Sequence, residues 1–544
     1  MSPVCRSLVA VLALALALSG ITGVVASAAA GPPDTTITSG PPAVSNSPSA
    51  TFVFTSNDAR ASFECSRDGQ PYFACRSPRT ETGFGHNAHN FFVRARSAAG
   101  VDATPARWGW RVVPNILVIN TDDQRGDGTM QVMPKTRRWF AEGGTTFANG
   151  YASTPVCCPS RSGLFSGRYT HNHGNLNNQT TKNLDYQATV MAYLKRAGYQ
   201  TAMAGKFLLE WRNSDPPPFF DHWALTSGGY VNVPYGTDQG PVTADYTTSE
   251  MSRQARRMLN AFETNDNRPF FLYLAPQAPH AASTPGTFVP EPKYAAADVG
   301  PCNPSPGVRE SDKSDKPAWV RNYNTSLQTG CHDRQGQLRT LLSVDDMVDA
   351  VMTRLGELGE TNTVAVFTSD NGYLWGEHGV REKFLPYTES VKVPFLVRWP
   401  GRVPAGRVDR RPVANVDITP SVLAAAGLTP ALKYPFDGRS FLTTTGLSST
   451  ARAEAYFEQF KDADRPTFPA WRSIRTAAAQ YIEWYDAAGA VIFREYYNLT
   501  ADPFQLTNLL ADGNPNNNPD TTALAARLAR YKTCRGTSGG SACP

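Results

Sequence analysis

Residues 112–123 read VVPNILVINTDD. Nine residues without a charge run straight into Thr121-Asp122-Asp123. An apolar run of this length, with no polar alternation, is the pattern of a strand buried on both faces, as in a parallel sheet. Three further stretches repeat it: PFFLYLAP (Pro269 to Pro276), TVAVFTSDNG (Thr363 to Gly372) and VPFLVRWPG (Val393 to Gly401). Between them lie stretches with apolar residues at helical spacing, Ala188 to Ala197, Thr248 to Glu263 and Leu338 to Gly359. Strands alternating with helices predict a doubly wound α/β fold.

Outside this region the texture changes. The chain has 544 residues, 41% hydrophobic and 18% charged, enough to bury a large core and more than one ordinary domain requires. Residues 1–30 have a basic start at Arg6, an apolar run from Leu8 to Leu18 and small residues up to Ala30. This is the pattern of a secretory signal peptide, cleaved after Ala28 or Ala30. The expected mature protein is secreted, with no stable membrane insertion. Residues 31–111 hold short strand-like runs between Gly/Pro/Ser-rich turns, the signature of a small β-sandwich. Their segments PPDTTITSGP, FECSRDG and FVRARSAAG resemble immunoglobulin-like modules appended to bacterial extracellular proteins. Residues 112–452 form the expected catalytic domain. Residues 453–544 read as a small antiparallel subdomain, strands YIEWYD and VIFREYYNL, with a loose polar tail broken by one helix near Thr521 to Tyr531. The net charge of +5 with pI ≈ 8.6 and the lack of a dense basic run argue against nucleic acid as partner.

Nine cysteines fit an oxidising compartment. Proximity suggests Cys65 with Cys75, Cys302 with Cys331, and Cys534 with Cys543. Cys5 leaves with the signal peptide, and Cys157 and Cys158 remain. Adjacent cysteines bridge poorly, so they need another role.

In open α/β sheets, ligands collect at the carboxyl ends of strands. Asp122-Asp123 and Asp370-Asn371 stand at two such ends. Adjacent carboxylates repel unless a cation lies between them, and an all-oxygen set suits Ca²⁺ or Mg²⁺, Ca²⁺ the more so. Asp and Asn at a strand end also make turns; the two pairs together favour metal.

The most specific motif is CCPSRSGLFSGR, Cys157 to Arg168. With the order of elements around it, it resembles the formylglycine-dependent sulfatases of the alkaline-phosphatase superfamily. The resemblance covers roughly Val112 to Leu510. It implies that a formylglycine-generating enzyme converts Cys157 to formylglycine and leaves Cys158 unmodified. The formylglycine hydrate would attack the sulfate ester, Arg161 would stabilise its anionic form, and Asp122, Asp123, Cys157, Asp370 and Asn371 would hold one divalent cation. It further implies that Lys206 (of Gly205-Lys206) and Lys383 bind the sulfate, and that His280 protonates the leaving oxygen or binds sulfate. His378 is open between a supporting role and active-site contact. Many sulfatases carry a histidine two positions after the Gly-Lys lysine; here Leu208 stands there. His171-Asn172-His173, close after the signature, resemble the glucosamine-6-sulfatase branch and the extracellular heparan endosulfatases, and either histidine is a candidate for the missing role. The implied substrate is a sulfated carbohydrate or another sulfate ester. The alternatives are a phosphodiesterase or phosphonate monoester hydrolase of the same superfamily, and a non-catalytic glycan-binding protein. The latter predicts a lost nucleophile or metal ligand, and none is lost.

Overall fold

A computed structural model describes residues 31–282, 287–450 and 452–544. The expected signal peptide, residues 1–30, lies outside them. Among the described residues, no helix is long and apolar enough to cross a membrane. The chain divides into two compact units. One comprises the described residues up to Ser39 with Phe52–Arg79 and Asn90–Trp108; the other comprises Gly40–Thr51, Thr80–His89 and Gly109–Pro544.

In the smaller unit Thr35–Ser39 pairs antiparallel with residues 53–56. Ser62–Arg67 pairs with Phe73–Cys75 on one side and residues 91–96 on the other. Alternate residues point inward: Phe52, Phe54, Phe91, Val93 and Ala95 are buried, with Phe52 stacked on Phe91 at 3.9 Å between ring centroids. Cys65 and Cys75 form a disulfide.

The larger unit is built on ten strands. These are β1 (Asn115–Thr121), β2 (Thr145–Tyr151), β3 (Gln200–Gly205), β4 (His222–Leu225), β5 (Val231–Thr237), β6 (Val242–Tyr246), β7 (Phe270–Ala275), β8 (Thr363–Ser369), β9 (Phe395–Arg398) and β10 (Arg407–Ala414). Their order in the sheet is β6-β5-β4-β3-β7-β1-β8-β9-β2-β10. The central block β4-β3-β7-β1-β8 is parallel. Along β1, Ile116 and Val118 face one core with Phe165, Met191 and Leu194; Leu117 and Ile119 face the other with Met258, Leu341 and Val348. The strand is therefore apolar on both faces because helices cover both. Helices α1 (Cys157–Ser166) and α2 (Val190–Arg196) lie on the first side; α3 (Thr247–Phe262) and α4 (Leu327–Glu357) lie on the second.

Two features depart from the sequence expectation. The strand in VPFLVRWPG, β9, runs antiparallel to β8. Returning in parallel needs a crossover back to the other end of the sheet. Residues 370–394 make none; they stay at the carboxyl end, so β9 starts there and runs back. Secondly, α4 begins eleven residues before Leu338, capped by Ser326, whose Oγ accepts the Thr329 N–H at 3.1 Å. Gly330 and Gly336 hid those turns, since glycine normally weakens a helix. Here each is a point of close approach. A Cβ on Gly330 would lie 1.8 Å from the Trp375 carbonyl oxygen, and one on Gly336 would lie 2.5 Å from Phe288 Cβ. Cys331, in the same turns, is bonded to Cys302.

The C-terminal strands β11 (Ala455–Gln459), β12 (Ala470–Arg475), β13 (Ala479–Tyr485) and β14 (Val491–Asn498) form an antiparallel meander. One face buries Phe457, Trp471, Trp484 and Tyr497 against Leu374, Phe384, Leu385 and Tyr387 of the loop after β8. The tail is not loose. After a helix over Thr522–Tyr531, Cys534 and Cys543 form a disulfide and both are buried. The Cys534 carbonyl accepts hydrogen bonds from the His171 ring (3.1 Å) and Asn172 Nδ2 (2.8 Å).

His171 also sits on the buried carboxylate of Glu458 at 3.0 Å. Burial opposes a charge on His171, but Glu458 outweighs it and raises the ring above its ordinary value. Glu458 is buried too, yet His171 holds it down to about 2. The raised histidine stabilises the fold fully below about pH 6.5 and loses that contribution as pH rises through its folded value. The depressed carboxylate contributes above its ordinary value of 4.5 and loses that contribution as pH falls towards about 2.

Two outcomes are expected. Gly330→Ala should destabilise the protein by about 1–3 kcal/mol through overpacking, read as a lower midpoint in urea; an unchanged midpoint would mean that the helix and Trp375 separate freely. His171→Gln should lower the thermal midpoint more at about pH 5.5 than at about pH 9; equal losses at both would mean that the ring carries no charge in the fold.

Candidate active site

The site forms where β1 and β8 end together, Thr121 being in register with Ser369. The next residues, Asp122 and Asp370, are therefore side by side. The Ser369 hydroxyl accepts the Gln124 N–H (2.9 Å) and donates to the Thr121 carbonyl (3.0 Å). Asp123 turns inward in the left-handed region at φ 67°, and its N–H donates to Asp370 Oδ1 at 3.2 Å.

Helix α1 brings its amino end to these carboxylates. Cys157 opens the helix, and Arg161, one turn on, lies on the same face. The Arg161 guanidinium is fully buried. It contacts Asp370 Oδ2 at 2.9 Å through Nε and at 2.8 Å through Nη2, Asp122 Oδ2 at 3.3 Å, and the Lys206 carbonyl at 2.8 Å. Lys206 Nζ donates to Asp122, and Lys383 Nζ donates to Asp123. Lys383 Nζ also lies 2.9 Å from Cys157 Sγ, which is 3.5 Å from Asp122 Oδ1. His280 Nε2 is 3.7 Å from Asp123 Oδ2, while its Nδ1 is 2.6 Å from the Ala281 carbonyl.

Charge governs the titration here. Burial would raise Asp122, but Lys206, His280 and Arg161 outweigh it and hold it well below the usual carboxylate range. Burial and the neighbouring Asp122 push Asp370 up. Burial and Asp122 likewise push the Cys157 thiol well up.

The donor set fits a hard divalent cation. Single ligand atoms of Asp122, Asp123, Cys157 and His280 all lie within 4.8 Å of one another. Asn371 Nδ2 donates to Asp123 Oδ1 at 2.6 Å, whereas Asn371 Oδ1 is buried with no hydrogen-bond partner. Three crowded carboxylates and an unsatisfied amide oxygen are what an oxygen-liganded cation requires.

Beside this cluster is a cavity of about 410 Å³, reached by Asp123, Cys157, Lys206, His280 and Lys383. Another cleft of about 410 Å³ is lined by Arg125, Trp375 and the Cys302–Cys331 bridge; it contains none of the residues expected from the sequence to act, so volume alone does not mark the site.

Nine of the expected residues thus converge: Asp122, Asp123, Cys157, Arg161, Lys206, His280, Asp370, Asn371 and Lys383. His171 and His173 do not. Both ring nitrogens of His171 are engaged, by Glu458 and the Cys534 carbonyl. His173 is buried, its Nδ1 accepts the Asn175 N–H at 3.2 Å, and burial drives it down to about 3. Neither lines the cavity, and neither does Leu208, which is packed in the core. His378 supports: its Nδ1 is 2.8 Å from Glu310 and its ring lies against Tyr387. Cys158 faces the core rather than the cavity, and its sulfur accepts the Leu209 N–H at 3.2 Å.

Asn178, Asp464 and Arg465 also line the cavity, and no pattern in the sequence points to them. Asp464 comes from the C-terminal subdomain and accepts a hydrogen bond from Asn178 Nδ2 at 3.1 Å. Arg465 pairs with Glu382. No motif marks such loops, because tertiary packing alone delivers them.

Comparison with known proteins agrees with this geometry. The sulfatase family matches residues 114–428, more than half of the chain. The family described as N-sulphoglucosamine sulphohydrolase, C-terminal, matches residues 376–533. The chain is similar to the putative extracellular sulfatase Sulf-1 homolog of Caenorhabditis elegans, 31% identical over 358 residues. That match covers 61% of this chain and 49% of the relative, so the chain spans about half the length of that protein. It is also 31% identical to human N-acetylglucosamine-6-sulfatase over 455 residues, 73% of this chain and 81% of the relative. A solved structure described as a complex with its substrate D-glucosamine-2-N,6-O-disulfate shares the fold at TM-score 0.61 and 24% identity, over 77% of this chain and 96% of that one. With its α/β sheet, its strand-end carboxylates and this match across most of its length, the chain belongs to the sulfatase family.

Proposed function

We propose that this protein is a secreted hydrolase of sulfate esters on a sulfated carbohydrate, working through a formylglycine made from Cys157 and one divalent cation, Ca²⁺. The observation that carries this reading is the division of labour between two adjacent cysteines. Cys157 Sγ faces the cavity beside Asp122 and Lys383, while Cys158 Sγ is turned into the core. A buried thiol whose ionisation is suppressed is a poor nucleophile as it stands. Oxidation to the aldehyde by a formylglycine-generating enzyme would give it a new reactivity.

A formylglycine hydrate at this position would supply one hydroxyl as the nucleophile towards sulfur and a second whose collapse to the aldehyde would release sulfate. Asp122, Asp123, Asp370 and Asn371, with the group derived from Cys157, would hold the cation, which would supply positive charge to the site. The chain's own residues do the rest. Arg161 fixes the Asp122 and Asp370 carboxylates and adds its charge. The ammonium groups of Lys206 and Lys383 approach the cavity from two sides and suit the non-bridging oxygens of a sulfate. His280 donates its Nδ1–H to the Ala281 carbonyl, so Nε2 is the nitrogen left for the leaving sugar oxygen, and the imidazolium form of the ring is the one that gives it a proton there. The carbohydrate preference is supported by the resemblance to N-acetylglucosamine-6-sulfatase, with Asn178, Asp464 and Arg465 as polar groups at the mouth. The partition into a signal peptide (1–30), an immunoglobulin-like spacer (31–111), a catalytic domain (112–452) and a C-terminal subdomain (453–544) belongs to the same proposal.

The peptide containing Cys157, from protein secreted by its own host, should show the mass of formylglycine at Cys157 and an unmodified Cys158. Cys157→Ala should lower aryl-sulfate turnover by at least about 10³-fold, and Cys158→Ala should leave it within about tenfold. Turnover of an aryl phosphate diester far above that of the aryl sulfate would replace this reading with the phosphoryl-hydrolase one. An unmodified Cys157 in protein that binds sulfated glycans without turning them over would replace it with the binding-protein one.

A further inference from the structure

We propose a second cation site at the amino end of the sheet, formed by Glu263, Asp266, Glu360 and the amide oxygen of Asn46, with the chemistry of a Ca²⁺ site. It does not depend on the proposed activity. Glu263 follows α3, Asp266 lies in the turn leading to β7, and Glu360 lies between α4 and β8. One carboxylate oxygen of each lies within 4.8 Å of the others. Asn46 comes from the segment whose residues 44–45 pair with 111–112 ahead of β1. Asn46, Asp266 and Glu360 line one cleft of about 300 Å³.

Acidic residues often cluster on surfaces without a ligand, so the argument turns on Asn46. Its side chain is only 7% exposed. Nδ2 donates to both Glu360 oxygens, at 3.2 and 3.3 Å, which places the amide at the cluster. Oδ1 of that amide is buried with no hydrogen-bond partner. A buried acceptor is normally satisfied, and a cation bound by the three carboxylates is a partner that this oxygen lacks. Among the described residues none of the three carboxylates makes an ion pair. Arg354 acts on Glu263 from a distance, but its guanidinium is engaged by Glu357 and Asn260, each at 2.9 Å. An all-oxygen set drawn from three separate segments tolerates the irregular coordination of Ca²⁺ better than the octahedron of Mg²⁺.

This site is separate from the catalytic one. Asn115, the first residue of β1, donates to Glu360 Oε2 at 2.6 Å, whereas Asp122 follows the last. Seven residues of strand put about 20 Å between the two ends. A cation here would fasten residues 44–48 to the turns that start β7 and β8, and so would serve stability rather than catalysis.

The test uses the full mature chain, stripped with a chelator and titrated with Ca²⁺, reading bound metal per chain and the thermal midpoint. The Asp266→Asn/Glu360→Gln variant should bind one ion fewer than the wild type, with aryl-sulfate turnover unchanged. Because the substitutions remove like charges, the variant should be at least as stable as the wild type without Ca²⁺ and less stable than it with saturating Ca²⁺. A variant that binds as many ions as the wild type, or a variant more stable at every Ca²⁺ concentration, would overturn the proposal. Midpoints unchanged by Mg²⁺ alone would support the Ca²⁺ assignment; an equal response to both would overturn that part.

Discussion

The Arg161 guanidinium, sealed between Asp122 and Asp370, is the contact on which the rest of the structure depends. A fully buried charge is tolerable only when paired and hydrogen-bonded. Arg161 meets that condition through two carboxylates at adjacent strand ends and a backbone carbonyl. The consequence is geometric. The guanidinium can be satisfied only if α1 docks with its first turn over the ends of β1 and β8, and that docking sets Cys157 in the cavity. Loss of one member of a buried pair typically destabilises by about 3–5 kcal/mol, so the arrangement is rigid as well as charged.

Around this anchor, secondary contacts hold the remaining cations in place. The chain carrying Lys383 is flanked by Glu382 and Phe384, both with positive φ, at 75° and 78°. Such conformations persist only where surrounding structure imposes them. The C-terminal sheet does so: Trp471 Nε1 donates to the Phe384 carbonyl at 2.8 Å, and Gln480 Nε2 donates to the Pro386 carbonyl at 2.6 Å. The subdomain is thus a brace for the active-site loop, and through Asp464 and Arg465 it also shapes the cavity mouth.

What was legible in the sequence follows from how local the determining physics is. The parallel strands could be read because burial on both faces forces an uninterrupted apolar run, and the strand-end carboxylates because they follow those runs directly. Cys157 and Arg161 were legible as a motif, since their four-residue spacing is itself the geometry. The start of α4 was hidden because its glycines answer to Trp375 and Phe288, which lie far away in sequence. The direction of β9 was hidden because it depends on where a connection travels, not on the composition of the strand. His171 and His173 are polar, close after the signature, and so looked available. Glu458 and the tail, which claim His171, lie about 290 and 360 residues further on.

The two neighbouring cysteines show how a fold can specify one site among near-identical groups. Successive helical residues point about 100° apart, so a helix end docked on a carboxylate cluster can present only one of two adjacent side chains to it. Cys157 receives the cavity, with Asp122 and Lys383 beside its sulfur. Cys158 receives the core, where Leu209 caps its sulfur and burial pushes it up to about 11. Neither environment favours a thiolate. A reactive cysteine ordinarily sits in an electropositive, partly open setting that lowers its pKa; burial opposes ionisation of Cys157 most, and Asp122 opposes it more than either Lys206 or Lys383 alone favours it. The pocket is therefore organised for a neutral oxygen nucleophile next to fixed charges, which is the chemistry of an aldehyde hydrate and not of sulfur.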